Sequence, residues 1–388
     1  MNIIHMGGVL PVMHAYGGAV ERRILEIAKE QARQGHRVIV YSIGDAAGTI
    51  KVDGVEIRHI PCISDLPWVQ FEFPLRALAG LRKEPQVEVI HFHGQPLGAL
   101  VGQALPGKKL LSYDYFYYGG RLKTLLYPLY KHALTRFDLL MPCSRYCLQE
   151  SVTYWRFSTQ KMHVLYNGVN THQFRPDAGS GAAERKMLGI DKRVVLYVGR
   201  VCRQKGSDVL IEAIRLLNER RNDIQLVVAG PIALFGHTPQ SDPWIDRIKQ
   251  VGGLYLGAVE ESRLAAIYNL ADVFVMPTRS IEMFGMAAVE AQACGKPVVA
   301  SDHGGLKETV PQACGARFPV GDSEKLAEKI ELLLDDPPRY AACAANAIQH
   351  ADRYEWSRIC ARLDELYRLA HYGVANKPII RSNDFSHF

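Results

Sequence analysis

The stretch Ser280–Glu308, SIEMFGMAAVEAQACGKPVVASDHGGLKE, sets two carboxylates, Glu282 and Glu290, around a loop-to-helix junction at Phe284, Gly285 and Met286. Gly285 allows close backbone approach, and MAAVEAQA reads as a helix that begins there. The first free N–H groups and the positive end of the helix dipole face whatever lies in front of them. A helix N-terminus suits a phosphate, and carboxylates, which only accept, suit hydroxyls. Phosphate beside a polyol is the chemistry of a nucleotide sugar. Spaced glutamates alone are a weak signal, because helical surfaces carry many of them in solvent. The next two elements supply the specificity: CGKPVVAS is a turn feeding a buried strand, and Gly304-Gly305 makes a second tight turn before Glu308.

This order of elements resembles the donor-binding signature of the retaining nucleotide-sugar glycosyltransferases of family 4 (glycosyltransferase group 1), which have the two-domain GT-B fold. The resemblance implies that Glu282 contacts sugar hydroxyls, that Glu290 holds the ribose, and that Phe284, Gly285 and Met286 belong to the donor loop.

The rest of the chain is read outward from there. Its 388 residues, 48% hydrophobic and 22% charged, suit a globular protein of two domains, each with its own core. No run approaches the roughly 18–20 apolar residues of a membrane span. MNIIHMGGVLPV reads as a first strand and not as a signal peptide. Eight cysteines without a CxxC pair point to free thiols, a reducing compartment and a cytoplasmic location, and away from structural zinc. Residues 1–170 hold 19 Lys+Arg against 13 Asp+Glu, while residues 171–388 hold 27 of each, so the whole +6 lies in the first half. That excess fits either an anionic acceptor or membrane surface, or ordinary scatter. Nothing points to nucleic acid.

Both halves alternate buried strands with amphipathic helices, which predicts two doubly wound parallel sheets of α/β class. In the first, GGAVERRILEIAKEQARQG carries a helical stripe through Val20, Ile24, Ile27 and Ala28 and stops at Gly35. HRVIVYSI, VEIRHI, VEVIHFHG and FDLLMP read as strands. The turn Asn167-Gly168 opens a Pro/Gly/Ser-rich run, and the alternation then restarts with RVVLYVGR. The expected division is an acceptor-binding domain at 1–168, a linker at 169–184 and a donor-binding domain at 185–352. A terminal helix at about 353–371 returns to the first domain, as the resemblance implies. The cleft lies at the carboxyl ends of both sheets.

Within YVGRVCRQKGSDVLIEA, Gly199 and Gly206 free the loop, while Arg200 and Lys205 bring two cations to a helix start. That makes a phosphate site with neither a Walker loop nor a dinucleotide fingerprint. The family's Arg/Lys pair, which holds the donor diphosphate, matches it; solvated surface cations are the plainer alternative. The resemblance adds Gly230 and Val259 as the cradle of the base, and Gly17-Gly18 as a loop that approaches the phosphates. His91 and His93 share one face of a strand, with no third metal ligand at a recognised spacing. His91 reads as a core residue, and His93 matches the strand-end histidine that faces the transferred sugar. Asp114, Tyr115 and Tyr117 in SYDYFYYGGR suit an acceptor wall, since aromatic faces pack on sugar rings; simple packing is the alternative. The apolar, basic segment 121–137, with leucines 122, 125, 126 and 129 at helical spacing, reads as a core helix or a membrane-docking one.

The expectation is a metal-independent retaining glycosyltransferase with no obligatory cofactor. It would move a sugar from a UDP- or GDP-sugar to a saccharide, lipid-linked or small-molecule hydroxyl. A nucleotide-sugar epimerase and an inactive sugar-nucleotide-binding scaffold are the alternatives.

Overall fold

The computed structural model describes residues 1–7, 18–63, 68–102, 105–114, 121–155, 158–232 and 243–373. Its first half builds a seven-stranded sheet from β1 (Asn2–Gly7), β2 (Arg37–Ile43), β3 (Gly48–Val52), β4 (Val55–Ile60), β5 (Val89–His93), β6 (Lys108–Tyr113) and β7 (Leu139–Pro142), ordered β3-β4-β2-β1-β5-β6-β7. The second half builds a six-stranded sheet from β8 (Arg193–Val198), β9 (Ile224–Ala229), β10 (Leu254–Gly257), β11 (Val273–Met276), β12 (Val298–Ser301) and β13 (Gly315–Phe318), ordered β10-β9-β8-β11-β12-β13. The strand order reverses between β1 and β5 in one sheet and between β8 and β11 in the other. Those switch points open crevices at the carboxyl ends of the strands, where doubly wound sheets take ligands.

One edge departs from the all-parallel expectation. β3 runs antiparallel to β4 and is almost wholly exposed. The cause is a two-residue Asp53-Gly54 turn with φ of 48° and 82°, the left-handed pair that a tight hairpin demands. After the first sheet, the segment 162–169 makes only isolated bridges, Leu140 to Met162 and Val169 to Glu355.

The cores arise from the helix stripes. In the helix Ala19–Arg33, Ile24, Ile27 and Ala28 have no solvent exposure, and Glu21 turns back to accept from the Gly18 N–H at 2.9 Å. In the second half, Val209, Leu210, Ala213, Ile214 and Leu217 pack with Leu326, Ile330 and Leu333. Each such valine, leucine or isoleucine side chain contributes about 1.5–3 kcal/mol through burial. The last helix, Trp356–Tyr372, returns across the molecule, and its Ile359, Leu363, Leu366 and Tyr367 pack on Ile3, Val89, Leu110 and Met141 of the first sheet. Two chain crossings therefore lie side by side, with the Val169 N–H donating to the Tyr354 carbonyl at 2.7 Å. All eight cysteines are free thiols. Among the described residues no helix is long and apolar enough to cross a membrane.

Candidate active site

A cleft of about 870 Å³ opens between the two sheets, lined from the second half by Arg200, Gln204, Lys205 and residues 280–286, and from the first by Gly18, Val20, Asp114, Cys143, Glu150 and Asn167. Two loops of the second half form one wall of it. The one after β8 and the one after β11 are tied together at Gln204, whose carbonyl accepts from the Arg279 and Ser280 N–H groups, both at 3.0 Å. Across that tie, Lys205 Nζ donates to Glu282 Oε2 at 2.6 Å. The Glu282 loop is fixed from behind by the second glycine turn: the Gly305 N–H donates to the Glu282 carbonyl at 2.7 Å. A Cβ on Gly304 would lie 2.4 Å from that carbonyl, and one on Gly305 only 2.0 Å from the Met283 carbonyl. The pair must be glycine for the turn to pack there. Gly285, at φ 90°, starts the helix Met286–Ala293, and it lines the cleft together with Met286, the first residue of the helix end that carries unpaired N–H groups. Gly199 and Gly230 touch through their backbones, a Cβ on Gly230 falling 2.1 Å from the Gly199 carbonyl. Val259 is half-buried against the core.

Glu290 stands apart from this wall. It is 4% exposed and both its oxygens are taken, Oε1 by Arg22 Nη1 at 2.5 Å and Oε2 by the Tyr268 hydroxyl at 2.7 Å. Arg22 reaches it from the first half of the chain. The Glu290 charge raises the Arg22 guanidinium above its ordinary value against the opposing effect of burial. Burial, reinforced by Glu290, holds the Tyr268 hydroxyl protonated as a donor. A ribose would have to replace one of these partners.

A further tie joins the two halves at Glu308. Its carboxylate accepts from the N–H groups of Arg145 and Tyr146 at 3.0 and 2.7 Å, and from the Tyr166 hydroxyl at 3.1 Å. Arg145 opens the helix Arg145–Trp155, so a residue of the second half caps a helix of the first. Glu308→Ala is expected to lower the urea-unfolding free energy by about 1–2 kcal/mol, the usual value of a lost cap. An unchanged unfolding midpoint would contradict that role.

On the first-half side, the parallel register sets His5 opposite His91 and Gly7 opposite His93. Three histidines meet there, all fully buried. Their candidate ligand atoms lie within 4.8 Å of one another, so the structure supplies the third histidine that sequence spacing did not reveal. His93 is 1% exposed and is not among the residues lining the cleft. Burial depresses all three, His5 to about 4 and His91 and His93 well below the ordinary histidine value, with the neighbouring Arg23 charge adding to the effect on the last two. The cluster is neutral at pH 7. Asp114 does line the cleft, held from behind by Arg23 Nη1 at 2.6 Å; the same nitrogen donates to Asn167 Oδ1 at 2.9 Å. Arg23 is 2% exposed, and its Nε and Nη2 have no partner among the described residues.

The structure thus brings Gly18, Asp114, Arg200, Lys205, Glu282, Phe284, Gly285 and Met286 to one cleft. Glu290 sits beneath it, and His93 is buried at the switch point. Gly17, Tyr115 and Tyr117 lie outside the described residues. Arg22, Tyr268, Arg23, His5 and Gln204 were not anticipated. Arg23 and His5 left a signal, each being a polar residue within an apolar pattern.

The region 182–350 matches the family profile described as Glycosyl transferases group 1, and 16–173 matches Glycosyltransferase Family 4. The chain is 30% identical to a D-inositol 3-phosphate glycosyltransferase of Catenulispora acidiphila over 93% of both chains. It is 34% identical to a protein of the same name from Thermobispora bispora, over 56% of this chain and 53% of that one. Similar solved structures include a sucrose-phosphate synthase from Thermosynechococcus elongatus, with a TM-score of 0.77, 22% identity and coverage of 96% of this chain and 100% of that one. Another is the Anabaena protein Alr3699/HepE in complex with UDP and glucose, with a TM-score of 0.75, 21% identity and coverage of 94% and 98%.

Proposed function

The chain belongs to the group 1 glycosyltransferases of the GT-B fold, and from that premise we propose that it moves a hexosyl group from a nucleoside-diphosphate sugar to an acceptor hydroxyl with retention at the anomeric carbon. The observation that carries this reading is the donor-side wall. Lys205, bonded to Glu282 at 2.6 Å, stands with Arg200 and the Gly285–Met286 helix end around one cavity. In the reaction the bond from the anomeric carbon to the diphosphate oxygen breaks, and its electron pair leaves with that oxygen. The acceptor oxygen bonds to the same face, and its proton passes to the departing phosphate. Negative charge grows on the diphosphate, where Arg200, Lys205 and the helix N–H groups stabilise it. These groups supply the positive field without an obligatory metal. Glu282 takes sugar hydroxyls, Glu290 takes the ribose once Arg22 or Tyr268 yields, and Asp114 orients the acceptor. The names of the relatives support a small phosphorylated polyol as acceptor.

Thermal shift with UDP, GDP and ADP, each with and without EDTA, tests the donor site. One diphosphate is expected to raise the melting temperature equally in both conditions. A shift abolished by EDTA would overturn the metal-free reading, and no shift with any diphosphate would overturn the donor site itself.

A further inference from the structure

We propose that Gln31 and His5 are positioning residues that fix the tautomer of His93, leaving its Nδ1 as a bare lone pair that accepts a hydrogen bond from a hydroxyl of the transferred sugar. The sugar-binding part rests on the function proposed above; the tautomer does not.

The geometry is a chain of three side chains. Gln31 Oε1 lies 2.7 Å from His5 Nε2, and His5 Nδ1 lies 2.9 Å from His93 Nε2. A neutral imidazole has one N–H and one lone pair, so each link fixes the next. The Gln31 carbonyl oxygen can only accept, which puts the His5 proton on Nε2. His5 Nδ1 must then accept, which puts the His93 proton on Nε2. His93 Nδ1 is left as an acceptor, and it is the one ring nitrogen of the three histidines with no partner among the described residues. The stack on His91, with centroids 4.0 Å apart and planes 26° apart, fixes the plane of the ring, His91 itself being pinned by the Tyr367 hydroxyl at 2.9 Å and Ser112 Oγ at 2.7 Å, and a half-turn within that plane would forfeit the bond to His5. A buried acceptor without a partner is costly and is usually kept for a reason. At the carboxyl end of β5, beside the switch point, a hydroxyl is the partner that fits. Nδ1 is shielded from solvent, so a ligand hydroxyl reaches it only with a local rearrangement.

A metal ion fits the trio less well. His5 and His93 already share a hydrogen bond, both His91 nitrogens face hydroxyls, and stacked rings send their lone pairs side by side instead of to one point. The Arg23 charge close by further disfavours a cation.

The test is ¹⁵N NMR of the full-length protein with labelled histidine, His93 being assigned by its loss in His93→Gln. An imine-type Nδ1 and a protonated Nε2 are expected for His93 at pH 7. A proton on Nδ1 would overturn the proposal whatever the variants do. Gln31→Met keeps the side-chain volume but removes the accepting oxygen, and is expected to collapse the His93 pair towards a tautomer average. An unmoved pair would give Gln31 a packing role only. One equivalent of Zn²⁺ is expected to leave all three rings unshifted; a joint shift would make the cluster a metal site and overturn the relay. UDP-glucose, UDP-N-acetylglucosamine and GDP-mannose are then titrated beside UDP and GDP. One sugar nucleotide is expected to shift Nδ1 where its bare diphosphate does not. A sugar nucleotide that binds without moving Nδ1 would overturn the hydroxyl contact. If no nucleotide binds, the proposed function and the sugar contact both fail, while the tautomer result stands by itself.

Discussion

Lys205→Met is expected to cost about 10²–10³ in kcat, roughly 2.7–4 kcal/mol of transition-state stabilisation, while leaving the melting temperature within a degree or two of the parent. The two halves of that expectation have different origins. In the resting protein the Lys205–Glu282 pair is part-exposed, with 29% and 21% of the side chains accessible. Water screens such a pair, and its contribution to stability falls between about 0 and 1 kcal/mol. Under the proposed function, the same ammonium counts for more once a donor fills the cleft. Bound diphosphate displaces water, the local dielectric falls, and charge appears on the leaving oxygen beside a cation already in position. Gln204 provides the positioning, since its carbonyl ties the Lys205 loop to Arg279 and Ser280. Glu282→Gln separates the roles on the same wall: it releases Lys205 but keeps a hydroxyl partner, so it should cost less than Lys205→Met. Steady-state rates with the donor found by thermal shift decide the matter. A Lys205→Met enzyme within threefold of the parent in kcat would remove Lys205 from the transition state. A variant that loses stability and activity together would make it a structural residue.

Some of these residues were legible and others were not because their constraints reside at different ranges along the chain. Gly285, MAAVEAQA and Gly304-Gly305 are local: a left-handed residue, a helix start and a tight turn are written in adjacent positions. The β strands were legible for the same reason, since a run such as VVAS at β12, buried throughout, fits a sheet covered on both faces. The Asp53-Gly54 hairpin is equally local: an Asp-Gly pair ahead of VEIRHI is the chemistry of a tight turn, and both residues take positive φ there. The site partners are a different case. Arg22 meets Glu290 across 268 positions and Glu308 meets Tyr146 across 162, and no spacing rule reaches that far. Yet the first helix carried a hint. Arg23 and Gln31 interrupt the stripe of Ile24, Ile27 and Ala28 on its core-facing side, and both are essentially buried. A polar residue in an apolar stripe must find a partner inside, so such interruptions point to a site even when the partner is unknown.

Acid should destabilise this fold before its carboxylates titrate, and the histidines set the window. His5 and His350 are depressed to about 4 by burial, and His91 and His93 lie well below the ordinary value of 6.5 for the same reason. In the unfolded chain each regains a pKa near 6.5. Between about pH 6.5 and 4 the unfolded state therefore binds protons that the folded state does not, and stability falls as pH falls, by about 1.4 kcal/mol per unit for each such histidine. His5 alone loses about 2 kcal/mol between pH 6.5 and 4.5, since the full slope is reached only below pH 6.5. Several groups acting together compare with the roughly 5–15 kcal/mol that holds a typical domain. Glu26 and Asp364 work in the opposite sense, because burial raises them and the folded state takes up their protons first; they blunt the slope without reversing it. Urea midpoints measured from pH 7.5 to 4.5 are expected to fall continuously below pH 6.5. In His5→Gln the fall should be shallower by about one histidine's share, 1.4 kcal/mol per unit. A midpoint flat down to pH 5 would mean that the buried histidines keep ordinary affinities, and the neutral cluster behind β1 and β5 would have to be redrawn as a charged one.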